Sequence, residues 1–221
     1  MNNKKAVCYI VAAGEWYGYT FLPQKEDCVI AVDGGYDTLY EMNIIPNYVI
    51  GDFDSIQTPI TQGKTIRLNP IKDDTDTLYA INFAKEKGYK NIVIIGGTGG
   101  SRISHTIANV QTLSCYPELN IILIDRKEAL FLLTNGKVKF SDKCKGYISV
   151  FSISDTSIGV TEQGLKYEIK GYEMQNSYPI GVSNEFIGQE SFIEVERGTL
   201  LIIMSYEQLH LIKKLNKFSI K

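Results

Sequence analysis

Five strand-length stretches of nearly unbroken apolar residues limit what this chain can fold into: 5–12, Cys28–Val32, Tyr48–Ile50, Asn91–Ile95 and Asn120–Asp125. None shows the apolar–polar alternation of a half-solvated strand, so each predicts a strand buried on both faces. Helical spacing fills the gaps. Leu39 and Met42 follow the second run, with Asn43 and Pro46 closing that helix. Leu78, Ile81 and Ala84 precede the fourth, with Gly88 as C-cap, and Ile103, Ile107, Val110 and Leu113 precede the fifth. Thr65–Leu68 reads as one more short strand. Strand and helix in alternation predict a mostly parallel α/β sheet.

Near residue 128 the period changes. Ala129–Thr134, the turn Asn135-Gly136 and Lys137–Phe140 predict a hairpin. Tyr147–Ser152, Leu165–Ile169, Phe192–Val195 and Thr199–Met204 predict further short strands, hence an antiparallel β-sandwich or barrel. The chain thus divides into an α/β domain, 1–128, and a β domain, 129–221, ending in an amphipathic helix over Glu207–Lys221 that carries Leu209, Ile212 and Leu215.

A net charge of −2 supplies no basic field for nucleic acid or an anionic membrane. The run Ala6–Ala13 behind Met-Asn-Asn-Lys-Lys is too short to span a bilayer, and a signal peptide is the weaker reading. Cys8, Cys28, Cys115 and Cys144 are widely spaced with no Cys-x-x-Cys, which predicts reduced thiols in a cytoplasmic protein. Two histidines, His105 and His210, argue against a His-rich metal site.

The chemistry gathers where the apolar runs end. Ile50-Gly51-Asp52-Phe53-Asp54-Ser55 breaks a strand and delivers two carboxylates, on one side if strand alternation persists. Crowded anions repel, and Mg²⁺ removes the repulsion by taking one or two carboxylates plus substrate phosphates. A capped turn is the alternative. The further acids Asp33, Asp73, Asp74 and Asp76 weigh against it. Asp33-Gly34-Gly35 sits at a strand's carboxyl end, where open parallel sheets bind ligands, although a tight turn alone would also want glycine. Lys72-Asp73-Asp74-Thr75-Asp76 opens a helix with more acids than capping needs. Gly96-Gly97-Thr98-Gly99-Gly100-Ser101-Arg102 has the makings of a phosphate cradle: glycine amides, a helix start and a guanidinium. It is neither a Walker A loop nor Gly-x-Gly-x-x-Gly. His105 alone reads as a surface helix residue, and Glu15-Trp16-Tyr17 as part of an aromatic loop.

These segments, with Gly100-Ser101-Arg102-Ile103-Ser104-His105-Thr106-Ile107-Ala108-Asn109, Gly164-Leu165-Lys166-Tyr167 and Ser183-Asn184-Glu185, resemble the thiamine pyrophosphokinase family in order and approximate spacing over nearly the whole chain. The resemblance implies a homodimer with its active site in a cleft between subunits. It puts ATP and Mg²⁺ on the α/β domain, and thiamine partly against the partner's sandwich near Ser183 and Asn184. It implies pyrophosphoryl transfer from ATP to the thiamine hydroxyl, with attack at the β-phosphorus and loss of AMP. On this reading Asp52, Asp54, Asp73 and Asp76 hold the metal. Asp76, Asp54 and Asp73 are catalytic, Asp76 orienting or deprotonating the hydroxyl. Asp33, Gly34, Lys72, Thr75, Gly99, Gly100, Arg102 and His105 border the nucleotide. Ser183 and Asn184 offer an aminopyrimidine their neutral donors and acceptors, where a polar turn is the plainer reading of the residues. Ser104 departs from the family's usual Arg-x-Asp-His. Two other readings remain at this stage: a metal-dependent transferase or hydrolase for another nucleotide or alcohol, and a non-catalytic sensor of thiamine or nucleotide.

Overall fold

The computed structural model describes residues 6–18, 20–69, 71, 74–100 and 103–212. Lys72, Asp73 and Arg102 lie outside them, as does most of the expected tail helix. The chain divides into two compact units, the first running through Arg126 and the second beginning at Lys127.

In the first unit the five apolar runs are strands: β1 (Val7–Val11), β2 (Cys28–Val32), β3 (Tyr48–Gly51), β5 (Asn91–Ile95) and β6 (Asn120–Asp125), with β4 (Lys64–Arg67) at one edge. All their pairings are parallel, in the order β6-β5-β1-β2-β3-β4. β1, β2 and β5 are buried at every position, which is why their sequences lack polar alternation. Helices α1 (Gly35–Glu41), α2 (Asp76–Glu86) and α3 (Ile103–Ser114) complete the unit. α1 and α2 both pack on β1 and β2. α2 starts where its cap directs: the Thr75 hydroxyl accepts the Leu78 amide at 3.2 Å. Its buried face is Thr77, Ala80, Ile81 and Ala84.

The α3 face differs from the spacing-based expectation. Ile103 and Ile107 are exposed, and the packed residues are Asn109, Thr112 and Leu113. Asn109 explains the rotation, because its buried amide donates to the Gly97 carbonyl at 2.7 Å and ties the helix to the glycine loop.

The second unit is antiparallel throughout and centres on one strand, β12 (Ser191–Ser205). β12 pairs along one edge with β7 (Glu128–Phe140). Along its other edge it pairs first with β9 (Thr156–Gln163) and then with β8 (Tyr147–Ser152). β10 (Ile169–Gln175) extends β9, and β11 (Asn184–Glu185) extends β8. The expected hairpin at Asn135-Gly136 is absent. β7 runs straight through it, and the two separate strands expected at 192–204 are one. Asn135 does take the positive φ, +43°, that made Asn-Gly read as a turn. Here it sits opposite a bulge in β12, between the pairs Val195–Gly136 and Thr199–Thr134, and its Oδ1 accepts the Gly198 amide at 2.9 Å. The strand expected from Leu165 starts at Ile169 and runs to Gln175, with Leu165 contributing only an isolated bridge to Phe186.

After β12 the chain makes a 3-10 helix, Tyr206–Leu211, in place of the first turns of the expected α-helix. Ile212 leaves helical conformation to bridge Phe140. Among the described residues no helix is long and apolar enough to cross a membrane.

Candidate functional site

β1 lies between β2 and β5, so the chain reverses its direction across the sheet beside β1, and ligands of such sheets bind at the strands' carboxyl ends near that reversal. There the first unit carries its acids. Asp33 follows β2 directly, and its φ of +46° turns the chain sharply into α1. β3 ends at Gly51, and Phe53 follows at φ +70°, an outlier for a bulky side chain. Such conformations concentrate at functional sites.

The two turns are bonded to each other. Asp33 Oδ1 accepts the Phe53 amide at 3.4 Å, and Ser55 Oγ accepts the Gly34 amide at 3.1 Å. Gly51 has φ +150°, and a Cβ there would lie 1.7 Å from Asp33 Oδ1. The Asp33 carboxylate therefore rests over a bare Cα. Asp37, in α1, accepts the amides of Gln57 and Thr58 at 3.0 and 2.8 Å and ties down the loop beyond the Asp-x-Asp.

Asp52 and Asp54 do not alternate along a strand as expected, because β3 stops at Gly51. They share a turn in which Asp52 Oδ1 accepts the Asp54 amide at 3.1 Å. The fold still crowds the acids. Burial first, then the charge of Asp76, then those of Asp52 and Asp54, push the Asp33 carboxyl up to about 6 against the pull of its bond to Phe53. Among the described residues no three His, Cys, Asp or Glu side chains already stand in a metal-binding arrangement. The set nonetheless fits a hard divalent cation chemically: it is oxygen-only, anionic and self-repelling.

That crowding makes stability depend on pH in an unusual direction. An ordinary aspartate titrates near 3.9 in an unfolded chain. Between about pH 4 and 6 the folded protein holds a proton that the unfolded chain has lost, so stability falls as pH rises through this window and stays lower above it. In metal-free protein Asp33→Asn is expected to remove the fall. The variant should match the parent at pH 4 and exceed it at pH 7.5 by about 1 kcal/mol, after discounting for the solvent that reaches a half-buried group. Thermal melts at the two pH values, in chelator, check this; a variant less stable than the parent at pH 7.5 contradicts it.

The glycine loop follows β5. Glu15, in the loop after β1, holds it: the carboxylate accepts the Tyr17 hydroxyl at 2.5 Å and the Gly100 backbone amide, and these two bonds lower its pKa. The Glu15 amide in turn donates to the Thr98 carbonyl at 3.1 Å. An anion thus already sits on one amide of the expected phosphate cradle. The aromatic-loop reading missed Glu15, and an acid two residues from a tyrosine was the available signal. Thr98 is buried, its hydroxyl donating to Asp125 at 2.5 Å. His105 is exposed on the first turn of α3, with Ser104 beside it.

In the second unit, Ser183 has φ +58° and its amide donates to Ser149 Oγ at 3.0 Å. Asn184 is buried, and its amide group is fully engaged. Nδ2 donates to Glu162 Oε2 and to the Tyr167 carbonyl at 2.8 and 2.7 Å, while Oδ1 accepts the amides of Tyr167 and Glu185 at 3.0 and 2.9 Å. In this arrangement Asn184 ties Glu162 to the backbone at Tyr167 and Glu185 and has no group left over for a ligand.

Residues 19–123 match the profile described as thiamin pyrophosphokinase, catalytic domain, and residues 135–200 that described as thiamin pyrophosphokinase, vitamin B1 binding domain. Thiamine pyrophosphokinase of Bacillus subtilis (strain 168) is 32% identical over 198 residues, spanning 85% of this chain and 90% of that protein. Thiamin pyrophosphokinase 1 of Caenorhabditis elegans is 25% identical over 193 residues, spanning 79% and 77%. The crystal structure of the Bacillus subtilis protein superposes with a TM-score of 0.80 at 28% identity, covering 90% of this chain and 98% of that one. That of thiamin pyrophosphokinase from Geobacillus thermodenitrificans gives 0.78 at 28% identity, covering 90% and 97%. With both profiles met in order and a relative this similar along nearly its whole length, the chain belongs to the thiamine pyrophosphokinase family.

Proposed function

We propose that the protein transfers a pyrophosphoryl group from ATP to the hydroxyethyl oxygen of thiamine, giving thiamine diphosphate and AMP. One observation carries the reading: a crowded acid cluster at the carboxyl ends of a parallel sheet shares a chain with a unit that matches a vitamin B1 binding domain. Phosphoryl chemistry asks a protein mainly for positioning and charge neutralisation. Asp52, Asp54, Asp73 and Asp76 would hold Mg²⁺, which when bound supplies neutralisation of the triphosphate oxygens. The rest falls to the chain itself. Asp76, in the first turn of α2, orients the hydroxyl. The amides of Gly99 and Gly100, with Arg102 and Lys72, take up phosphate charge, and Glu15 gives up the Gly100 amide as they do so. Asp33, Gly34, Thr75 and His105 border the nucleotide.

The bulge in β12, with the switch of its partner from β9 to β8 across it, supports a folded sandwich for residues 129–221, following a nucleotide domain over 1–128. A homodimer with active sites at the subunit interface is part of the reading. Its support is the apolar surface of the second unit, where Tyr147, Tyr178 and Ile187 are exposed. Cytoplasmic residence is supported by Cys8 and Cys28, buried free thiols paired across adjacent strands.

The test is to mix purified protein with ATP, Mg²⁺ and thiamine and identify both products. Thiamine diphosphate with AMP, lost on chelation, is expected from a species sedimenting at twice 24.8 kDa. ADP with thiamine monophosphate would overturn the regiochemistry. Thiamine bound without product would overturn catalysis.

A further inference from the structure

Glu162 is the most buried acid the reading above leaves without a task. It is only 3% exposed, yet it lies in β9 between Thr161 and Gln163, where a charged residue would ordinarily face water. Burial raises its pKa, against the opposing pull of Asn184. One oxygen, Oε2, accepts from Asn184 Nδ2 at 2.8 Å. Among the described residues none donates to Oε1, and that oxygen is not sealed from solvent.

What Glu162 faces is a cavity of about 90 Å³ walled by Tyr167, Ile169, Met174, Ile180 and Val182, with Asn184 beside the acid. Whole drug-sized ligands occupy about 300–1,000 Å³, so this space takes a fragment: one small flat ring, not a nucleotide. Its polar equipment is narrow. Asn184 is saturated, which leaves the Glu162 carboxyl and the Tyr167 hydroxyl as the side-chain groups able to meet a ligand, and of the two the carboxyl is the buried one. A carboxylate oxygen in an apolar slot asks for an N–H donor.

We infer that Glu162 is a specificity residue for the vitamin, accepting through Oε1 a hydrogen bond from the exocyclic amino group of its aminopyrimidine ring while the apolar walls enclose the ring. The inference rests on the proposed function. It also follows the substrate's shape: the hydroxyethyl arm must reach the triphosphate, so the pyrimidine end is the one free to be enclosed. Asn184 acts through Glu162. By taking Oε2 and the Tyr167 backbone it fixes the direction in which Oε1 points. A site built around a donor rejects an analogue lacking it far more strongly than an apolar slot rejects a missing methyl.

The experiment compares thiamine with an analogue lacking the exocyclic amino group, in the parent, Glu162→Gln and Ile180→Trp. The parent should prefer thiamine by at least about tenfold in kcat/KM. Glu162→Gln keeps an oxygen for Asn184 but turns an NH₂ toward the ring. It should raise KM for thiamine about tenfold, leave kcat and KM for ATP within about twofold, and erase the preference. Ile180→Trp, at a 40% exposed position of the wall, fills the cavity without disturbing the buried acid and should raise KM for thiamine alone. A parent indifferent to the amino group, a folded Glu162→Gln that retains the preference, or an Ile180→Trp with unchanged KM overturns the assignment. A parent that makes no thiamine diphosphate overturns the function reading instead, and the two failures are told apart by that control.

Discussion

Asp54→Asn is expected to lower kcat by about three orders of magnitude while leaving the melting temperature within a degree or two of the parent. Asp54 is exposed, in a turn held by the carboxylate of Asp52 and by contacts from Ser55 and Asp37, so its own side chain does little for the fold. Replacing one carboxylate oxygen by NH₂ keeps the shape and removes a charge from the cluster around Asp33. If the cluster exists to hold a divalent cation against phosphate, that charge is what catalysis needs. Steady-state kinetics across a Mg²⁺ titration is the measurement. Partial recovery at high Mg²⁺ fits lost metal affinity, whereas full activity at ordinary Mg²⁺ removes Asp54 from the metal set.

The second large effect separates two adjacent glycines that look equivalent in sequence. Gly35→Ala should destabilise the protein by about 3 kcal/mol, lowering the melting temperature by about 8 °C, and Gly34→Ala should be nearly neutral. A Cβ on Gly35 would lie 1.9 Å from the Val11 carbonyl oxygen and 2.6 Å from its carbon, backbone in a strand buried at every position. Neither α1 nor β1 can yield without moving the core. On Gly34 the nearest atom is the Ala13 side chain at 3.2 Å, with Ser55 beyond at 3.5 Å, and the amide bond to Ser55 Oγ survives. The close approach of α1 to β1 is therefore the demand made by Gly35. Parallel melts of the two variants decide it; equal losses would show that the pair serves only as a flexible turn.

The first unit was legible because burial on both faces leaves a plain mark: Val7–Val11, Cys28–Val32 and Asn91–Ile95 have no polar residue facing water to interrupt them. Asp33, Asp52 and Asp54 could be collected from sequence because they follow β2 and β3 directly, and Asp76 because it opens α2. Their arrangement could not, since Gly51 ends β3 and a turn with Phe53 at positive φ replaces the alternation that strand geometry suggested. In the second unit the local signals were ambiguous in themselves. Asn135-Gly136 supplies positive φ equally well to a hairpin turn and to the partner of a bulge, and only the distant Gly198 decides between them. Ile103 and Ile107 had helical spacing but no packing partner, while Asn109 turned its polar side chain inward to bond the glycine loop. Glu162 was invisible for the opposite reason: in a strand of mixed residues an acid reads as solvated until Asn184, twenty-two residues on, is seen to receive it.

β12 has a consequence for how the chain is made. In the first unit the parallel pairings of β1 to β6 are all complete by residue 125, so that parallel sheet can assemble while synthesis continues. The second unit has no such schedule. β7, β8 and β9 all pair with β12, and residues 141–190 must be synthesised between the end of β7 and the start of its partner. During that interval β7, with Phe131, Leu133, Val138 and Phe140 destined for the core, lacks its β12 partner and presents an open apolar edge. The second unit should thus close in a single late step when residues 191–205 clear the ribosome. A chain stalled short of them would carry a finished parallel sheet joined to a sticky, unfinished one, a natural target for chaperones.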